Sequence, residues 1–430
     1  MKNALIILFF CMSAHAATIN FNGKDYWING VNIPWNNYGI DAGVHPYWGG
    51  GYNATWFENF FSQCEANGIN CTRLWIHCDG RASPEFDAGG YVTGLDPTFL
   101  SDLAALFQCA AGHKVMVMPC LWSFDMTNDN RAADNPYSGY HADLIQNVAK
   151  TQSYIDHALI PMVQQFADTP NLFAWEIINE PEWSISGPGN TDQLVSKAEM
   201  QRFCAMLAEA IHQNSSKMVT IGSACLKWNS DKIPPAEGNY WTDAALNAAY
   251  PSSLGHLDFY QIHYYDWCYD VDWGYDPFQL TKPTTFWQLD KPTLVGESPI
   301  KNGGYYTITQ MLSNAYANGY VGVMPWSYNC DGPWDDAVAP LKAFRDAHPD
   351  IVDYVGDALA PDVSVTTVTI SGTAYDASGP PTLTVDGSAV ALSGIDFTKD
   401  VQITANPQTV VIQASDFSGN TRVLNLTVTR

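Results

Sequence analysis

The sequence predicts an α/β fold: a (β/α)8 TIM barrel followed by a small all-β immunoglobulin-like sandwich domain. Three observations carry this expectation. Between Tyr26 and His348, short β-rich apolar runs alternate with longer segments whose apolar residues recur at helical spacing, eight times over roughly 320 residues. The first run is not followed by the G-x-G-x-x-G of a dinucleotide-binding sheet, which favours a closed barrel over an open one. Beyond Pro361 the chain turns to Thr, Val, Ser and Ala in period-two alternation. The expected organisation is a signal peptide over 1–16, a barrel domain over 17–358 and a β-sandwich over 361–430.

Taken in order, the predicted strands are 26–32, 71–76, 114–121, 172–179, 218–223, 258–263, 293–296 and 321–326. Helical spacing predicts helices over 57–66, 98–111, 152–166, 192–213, 307–318 and 337–347. Strict alternation of the two requires parallel strands with crossover helices. After His348, Ala360-Pro361-Asp362 breaks the helical pattern, and Asp386-Gly387 reads as a hairpin turn between two alternating runs. This tail holds no Trp, only Tyr375, Phe397 and Phe417, so a spacer or packing role is expected rather than a sugar platform.

Composition narrows the partner. Lys plus Arg number 20 against 44 Asp plus Glu, a net charge of −24, and no basic cluster offers a grip on a nucleic acid. With 15 Trp and 22 Tyr on a weakly charged background, the expected ligand is neutral with apolar faces. Lys2, the apolar run from Ala4 to Met12 and Ala14-His15-Ala16 read as a secretory signal, with the mature chain starting near Ala17 and exported. Phe9-Phe10 argue against lipidation at Cys11, and no stretch is long enough to span a bilayer. A monomer is expected, bound to neither membrane nor nucleic acid.

Apart from Cys11 there are 10 − 1 = 9 cysteines, an odd number, so at least one thiol stays free. Cys71 and Cys120 fall in apolar β runs and are expected as small buried hydrophobes, whereas Cys268 and Cys330 lie in loop-like sequence where a disulfide is plausible. Cys64, Cys71 and Cys78 are spaced too widely for a zinc motif, and no C-x-x-C occurs. Asp266, Asp270, Asp272 and Asp276 lack calcium-loop spacing and are expected as solvated acids. No cofactor or metal is expected.

Catalytic groups of a parallel barrel sit where strands end at its C-terminal face. The fourth run closes with Asn179-Glu180-Pro181 and the seventh with Gly296-Glu297. Two carboxylates facing each other across the barrel mouth suit glycoside hydrolysis, one protonating the leaving oxygen and the other attacking the anomeric carbon. Glu176 and Glu182 are neighbouring alternatives to Glu180. Blander readings stand beside each residue: a strand end before a cap for Asn179-Glu180, an ion pair of Arg73 with Asp79, and core roles for His263 and Trp326.

The ordered set resembles glycoside hydrolase family 5. It comprises Arg73 in Cys71-Thr72-Arg73-Leu74-Trp75, Asn179-Glu180-Pro181, His263 and Tyr265 in Gln261-Ile262-His263-Tyr264-Tyr265, Gly296-Glu297, and Trp326 in Met324-Pro325-Trp326-Ser327. The resemblance covers the barrel and stops at the tail. It implies a retaining mechanism with Glu180 as acid/base and Glu297 as nucleophile. Asn179 would donate to the sugar 2-hydroxyl, Arg73 and Tyr265 would orient Glu297, His263 would hold Glu180, and Trp326 would floor the reacting subsite. Many cellulases of the family end strand three with a histidine where this chain has Trp122, and the stretch from Arg73 to Arg81 looks closer to mannanase-like branches, with His77 and Asp79 on the glycone side.

Trp35, Trp122, Trp183, Trp267, Trp273 and Trp334 follow β runs and are expected at the active face, about half of them stacking on pyranose rings. The expected function is a secreted retaining endo-β-1,4-glycanase acting on a β-linked polysaccharide or oligosaccharide, an endo-β-1,4-mannanase first. An endo-β-1,4-glucanase is the alternative, and a non-catalytic carbohydrate-binding protein is the reading from another class.

Overall fold

The computed structural model describes residues 17–45, 49–128, 141–233, 237–270, 274–329, 332, 334–355, 366–373, 382–385, 388–393, 396–403, 408–415 and 421–428. The signal segment 1–16, Trp273, Cys330, and the Asp386-Gly387 turn lie outside the described residues. The chain divides into two compact units, residues 1–356 and 357–430.

The first unit is built on eight strands: β1 (Ile28–Asn32), β2 (Cys71–Cys78), β3 (Met116–Ser123), β4 (Ala174–Asn179), β5 (Met218–Ser223), β6 (Tyr260–His263), β7 (Thr293–Pro299) and β8 (Gly322–Trp326). They pair in parallel in sequence order, and β8 returns to β1 to close the barrel. Around it lie α1 (Ala54–Ala66), α2 (Phe99–Gly112), α3 (Val148–Tyr154), α4 (Ile160–Gln165), α5 (Lys197–Asn214), α6 (Asp243–Ala249), α7 (Ile308–Ala317) and α8 (Trp334–Ala347). The expected barrel is therefore present, with shifted boundaries that have local causes. Tyr26 leaves the first strand and, with residues 24 and 25, forms a hairpin with 19–21. Helix α5 starts at Lys197 and not at 192, because Ser196 and Glu199 close a capping box there: Ser196 Oγ accepts from Glu199 N and Glu199 Oε2 from Ser196 N. The segment predicted as one helix over 152–166 is α3 and α4 joined by a π-helical turn, Ile155–Leu159. Helix α6, only 7 residues long, is too short to leave a periodic signal.

Two apolar layers hold the barrel. Ile19, Phe21 and Tyr26 of the hairpin pack with Met116, Phe173, Phe259 and Tyr354 near the strand starts. This closes the N-terminal end and leaves polar chemistry to the other end. A larger layer packs the helices on the outside of the strands, with Phe57, Phe60, Leu103, Leu106, Phe203 and Leu207 fully or nearly fully buried. Cys268 is a buried free thiol. Among the described residues no helix is long and apolar enough to cross a membrane.

The second unit contains β9 (Thr366–Thr373), β10 (Thr382–Val385), β11 (Ser388–Val390), β12 (Asp396–Ile403), β13 (Gln408–Ser415) and β14 (Thr421–Val428). Strands β9 and β12 form one antiparallel pair, and β11-β10-β13-β14 form an antiparallel sheet. Val401 of the pair shares a core with Leu383, Val385, Val410 and Ile412 of the sheet. Val410 and Ile412 are buried while Val411 between them is exposed, as a strand with one face inward requires.

Candidate active site

Arg73 is the centre of the polar network at the barrel mouth. Its side chain is fully buried on β2, and all five N–H donors find acceptors. Nε and Nη2 grip Glu176 at 2.5 and 2.6 Å, Nη2 also donates to Asn179 Oδ1 at 2.7 Å, and Nη1 donates to Asn32 Oδ1 at 3.0 Å and Glu297 Oε1 at 2.6 Å. The ion pair of Arg73 with Asp79 is not formed; Asp79 is held by Arg81 at 2.7 Å. A buried guanidinium needs such partners, because an isolated charge there would be expelled or neutralised.

The backbone makes this convergence possible. In regular alternation Glu176 and Asn179, three residues apart, would point to opposite faces of β4. The pairing of β4 with β5 shifts register between them, and both reach Arg73. Pairing of β6 with β7 shifts likewise, setting His263 opposite Glu297. Gly222 of β5 leaves the needed space: a Cβ there would lie 2.5 Å from Glu176 Oε1 and 2.9 Å from His263 Nε2. Gly296 is equally tight, against Gln261.

Glu180 and Glu297 stand at the ends of β4 and β7. One carboxylate oxygen of each and a ring nitrogen of His263 all lie within 4.8 Å of one another. Tyr265 donates its hydroxyl to Glu297 Oε2 at 2.7 Å. His263 Nδ1 lies 2.8 Å from Glu180 Oε1, and Trp183 Nε1 donates to Glu180 Oε2 at 2.8 Å. Glu180 adopts a left-handed backbone, φ 47 and ψ 52, with its N–H on the carbonyl of Gly222 at 2.6 Å. That conformation is unfavourable for a residue with a Cβ and turns the side chain out of the strand's alternation.

Electrostatics separate the acids. Burial pushes the Glu180 carboxyl up to about 7, opposed by the Trp183 donor and the Arg73 charge and reinforced by the charges of Asp125 and Glu176. Burial also raises Glu297, but His263, Arg73 and the Tyr265 hydroxyl pull it back. For Glu176, burial is outweighed by Arg73, and its carboxyl falls below the usual range. Burial drives His263 down to about 4, leaving a neutral imidazole at neutral pH. Burial thus raises both carboxyls, and the one at about 7 is held partly protonated near neutrality, as proton donation to a leaving group requires.

Glu176 is thus the permanent counter-ion of Arg73. Glu182 faces away into a pocket of donors, Ser223 Oγ and Trp241 Nε1 at 2.7 Å each and the Ala224 N–H at 3.0 Å. Asn32 went unnoticed by sequence reasoning; its Nδ2 donates to the carbonyls of Gly296 and Met324, tying β1 to β7 and β8. Only its position at the end of the first strand could have marked it.

Half-buried Trp326 and Trp35 meet buried Trp75 with ring centroids 5.4 and 5.2 Å away. The Trp326–Ser327 peptide is cis. Trp122 corrects the sequence reading. It is fully buried, against His77 at 4.9 Å and Tyr154 at 5.3 Å, and offers no ring face to a sugar. His77 is equally internal, its ring nitrogens 3.1 Å from Ser83 Oγ and Tyr154 OH, so it does not line the glycone side. Trp183 and Trp267 are half-buried and adjacent, 5.8 Å between centroids, whereas Trp334 packs on Tyr328.

The chain is 33% identical over 356 residues to a mannan endo-1,4-β-mannosidase of Mytilus edulis, spanning 78% of this chain and 92% of that one. A mannan endo-1,4-β-mannosidase of Cryptopygus antarcticus is 29% identical over 76% and 86%. Among solved structures, the β-mannanase of blue mussel superposes with a TM-score of 0.68 at 29% identity, covering 78% of this chain and 96% of the other. The β-1,4-mannanase of the sea hare Aplysia kurodai gives 0.68 at 30% identity over 78% and 97%. No family model matches the chain.

Proposed function

We propose, from the premise that this chain belongs to the mannan endo-1,4-β-mannosidases of glycoside hydrolase family 5, that Glu180 and Glu297 cleave internal β-1,4 bonds of mannan by double displacement. The observation that carries the reading is the approach of the two carboxylates within 4.8 Å. That separation suits attack by the enzyme itself and leaves no room for the intervening water of an inverting enzyme. Glu297 attacks the anomeric carbon as Glu180 gives its proton to the leaving oxygen; the glycosyl ester is then hydrolysed by a water that Glu180 deprotonates. Asn179, its oxygen committed to Arg73, presents an amide donor to the sugar 2-hydroxyl. Arg73 and Tyr265 hold Glu297, His263 holds Glu180, and Trp326 with Trp35 supplies apolar ring surface for a pyranose.

The relatives' names favour mannan over the glucanase alternative, and retention of both carboxylates speaks against a mere binder. Residues 1–16 act as a secretory signal, and the exported chain works as a monomer. The tail forms an immunoglobulin-like sandwich that serves as a spacer, a reading supported by its two antiparallel sheets around one core. The test is release of reducing sugar from mannan, glucomannan and carboxymethylcellulose by the purified protein. Mannan is expected to be hydrolysed fastest, and turnover of carboxymethylcellulose with none of mannan would overturn the substrate.

A further inference from the structure

Away from the barrel mouth, α1 and α2 bring together side chains that the hydrolytic reaction does not use. Cys109 and His113, four residues apart at the end of α2, share one face of that helix. Glu58 of α1 reaches both: its Oε1 is 3.1 Å from His113 Nε2 and its Oε2 is 3.5 Å from Cys109 Sγ. One ligand atom from each of the three lies within 4.8 Å of the others. The second ring nitrogen of His113 is 2.9 Å from Glu65 Oε2. The cluster borders an open concavity of about 760 Å³ lined also by Tyr52, Thr55, Asn59 and Gln108.

We propose that Glu58, Cys109 and His113 bind a zinc ion that joins α1 to α2. Zinc at about 2.3 Å from sulfur and 2.0–2.1 Å from nitrogen and oxygen, with tetrahedral angles, puts its ligand atoms roughly 3.3–3.6 Å apart. The separations around Glu58 are already near that range, so modest side-chain rotations complete the site. A thiol and an imidazole select a transition metal over calcium or magnesium, which take oxygen. Glu65 holds the His113 Nδ1–H and turns the Nε2 lone pair toward the metal, the outer carboxylate partner common at zinc histidines. On binding, the Cys109 thiol and the His113 Nε2–H that faces Glu58 in the metal-free protein each release a proton to solvent, and a water takes the fourth position on the concave side. Cysteine spacing could not disclose this site, because its donors are Cys-x-x-x-His on one helix and a carboxylate from another.

Cobalt(II) titrated into the chelator-treated full chain reports the site through thiolate-to-cobalt charge-transfer absorption. One equivalent is expected to bind, with absorption that zinc displaces and Cys109→Ser abolishes. Glu65→Gln should weaken binding about 10–100-fold, and His113→Asn or Glu58→Gln should weaken it at least as much. Metal-free mannan hydrolysis should be unchanged in all four variants. Absence of the absorption in the wild-type chain, or its persistence in Cys109→Ser, overturns the proposal. So does binding that survives His113→Asn but is lost in Glu297→Gln, which would place the metal at the catalytic carboxylates.

Discussion

Trp183 donates its indole N–H to Glu180 Oε2 across 2.8 Å, so a residue three positions further along the chain tunes the proton affinity of the carboxyl at the strand end. The donor favours the ionised form and works against burial, which holds the group up at about 7. With Glu180 as the proposed acid, protonated to assist departure of the leaving group, kcat/KM should fall as pH rises through about 7. The acid side should fall as Glu297 gains a proton. Trp183→Phe removes the donor and should move the alkaline limb upward by up to about one pH unit; a limb that stayed fixed or moved down would separate Trp183 from the titration.

The two carboxylates should respond differently to truncation. Glu297→Ala is expected to abolish turnover, because no glycosyl ester can form. Glu180→Ala should keep partial activity on aryl glycosides whose leaving group needs no proton. Azide should rescue Glu180→Ala with retained anomeric configuration and Glu297→Ala with inverted configuration. Product stereochemistry by NMR decides this, and the opposite pairing would exchange the roles.

Arg73→Met should destabilise the protein by about 3–5 kcal/mol at neutral pH, because Glu176 would remain buried without its counter-ion. Glu176 has a folded-state pKa below its usual value. Its stabilising contribution is therefore present above the unfolded pKa and lost as pH falls through the folded one. The deficit of the variant, measured by urea unfolding, should shrink toward acid pH, and a constant deficit would assign it to packing alone.

Gly222→Ala places a methyl 2.5 Å from Glu176 Oε1 and 2.9 Å from His263 Nε2. Displacement of either group by a fraction of an ångström should lower kcat about 10²-fold. Gly94→Ala, where an added Cβ meets nothing within 4 Å, is the neutral comparison. Equal activity of the two variants would show that the mouth tolerates the shift.

The barrel was legible because eight alternations of period are hard to produce otherwise, and the ends of the fourth and seventh strands exposed Glu180 and Glu297 as residues to watch. Glu176 was harder to place. Period-two reading sets it opposite Asn179, and only the register shift between β4 and β5 turns both toward Arg73. Trp122 misled for a related reason: following a β run puts a residue near the mouth in sequence, but the side chain turned inward onto His77 and Tyr154. Trp183 was visible as an aromatic, yet its bond to Glu180 depends on the 3-10 turn Pro181–Ser184 folding it back.

The left-handed backbone of Glu180, φ 47, has a consequence for how the sequence can drift. Glycine would adopt that conformation without penalty, and asparagine nearly so, each gaining on the order of 1 kcal/mol over glutamate. A laboratory selection for heat resistance that never asks about turnover should therefore replace this residue early. Under the proposed role of Glu180, hydrolysis alone keeps a carboxylate where the backbone would prefer a smaller residue.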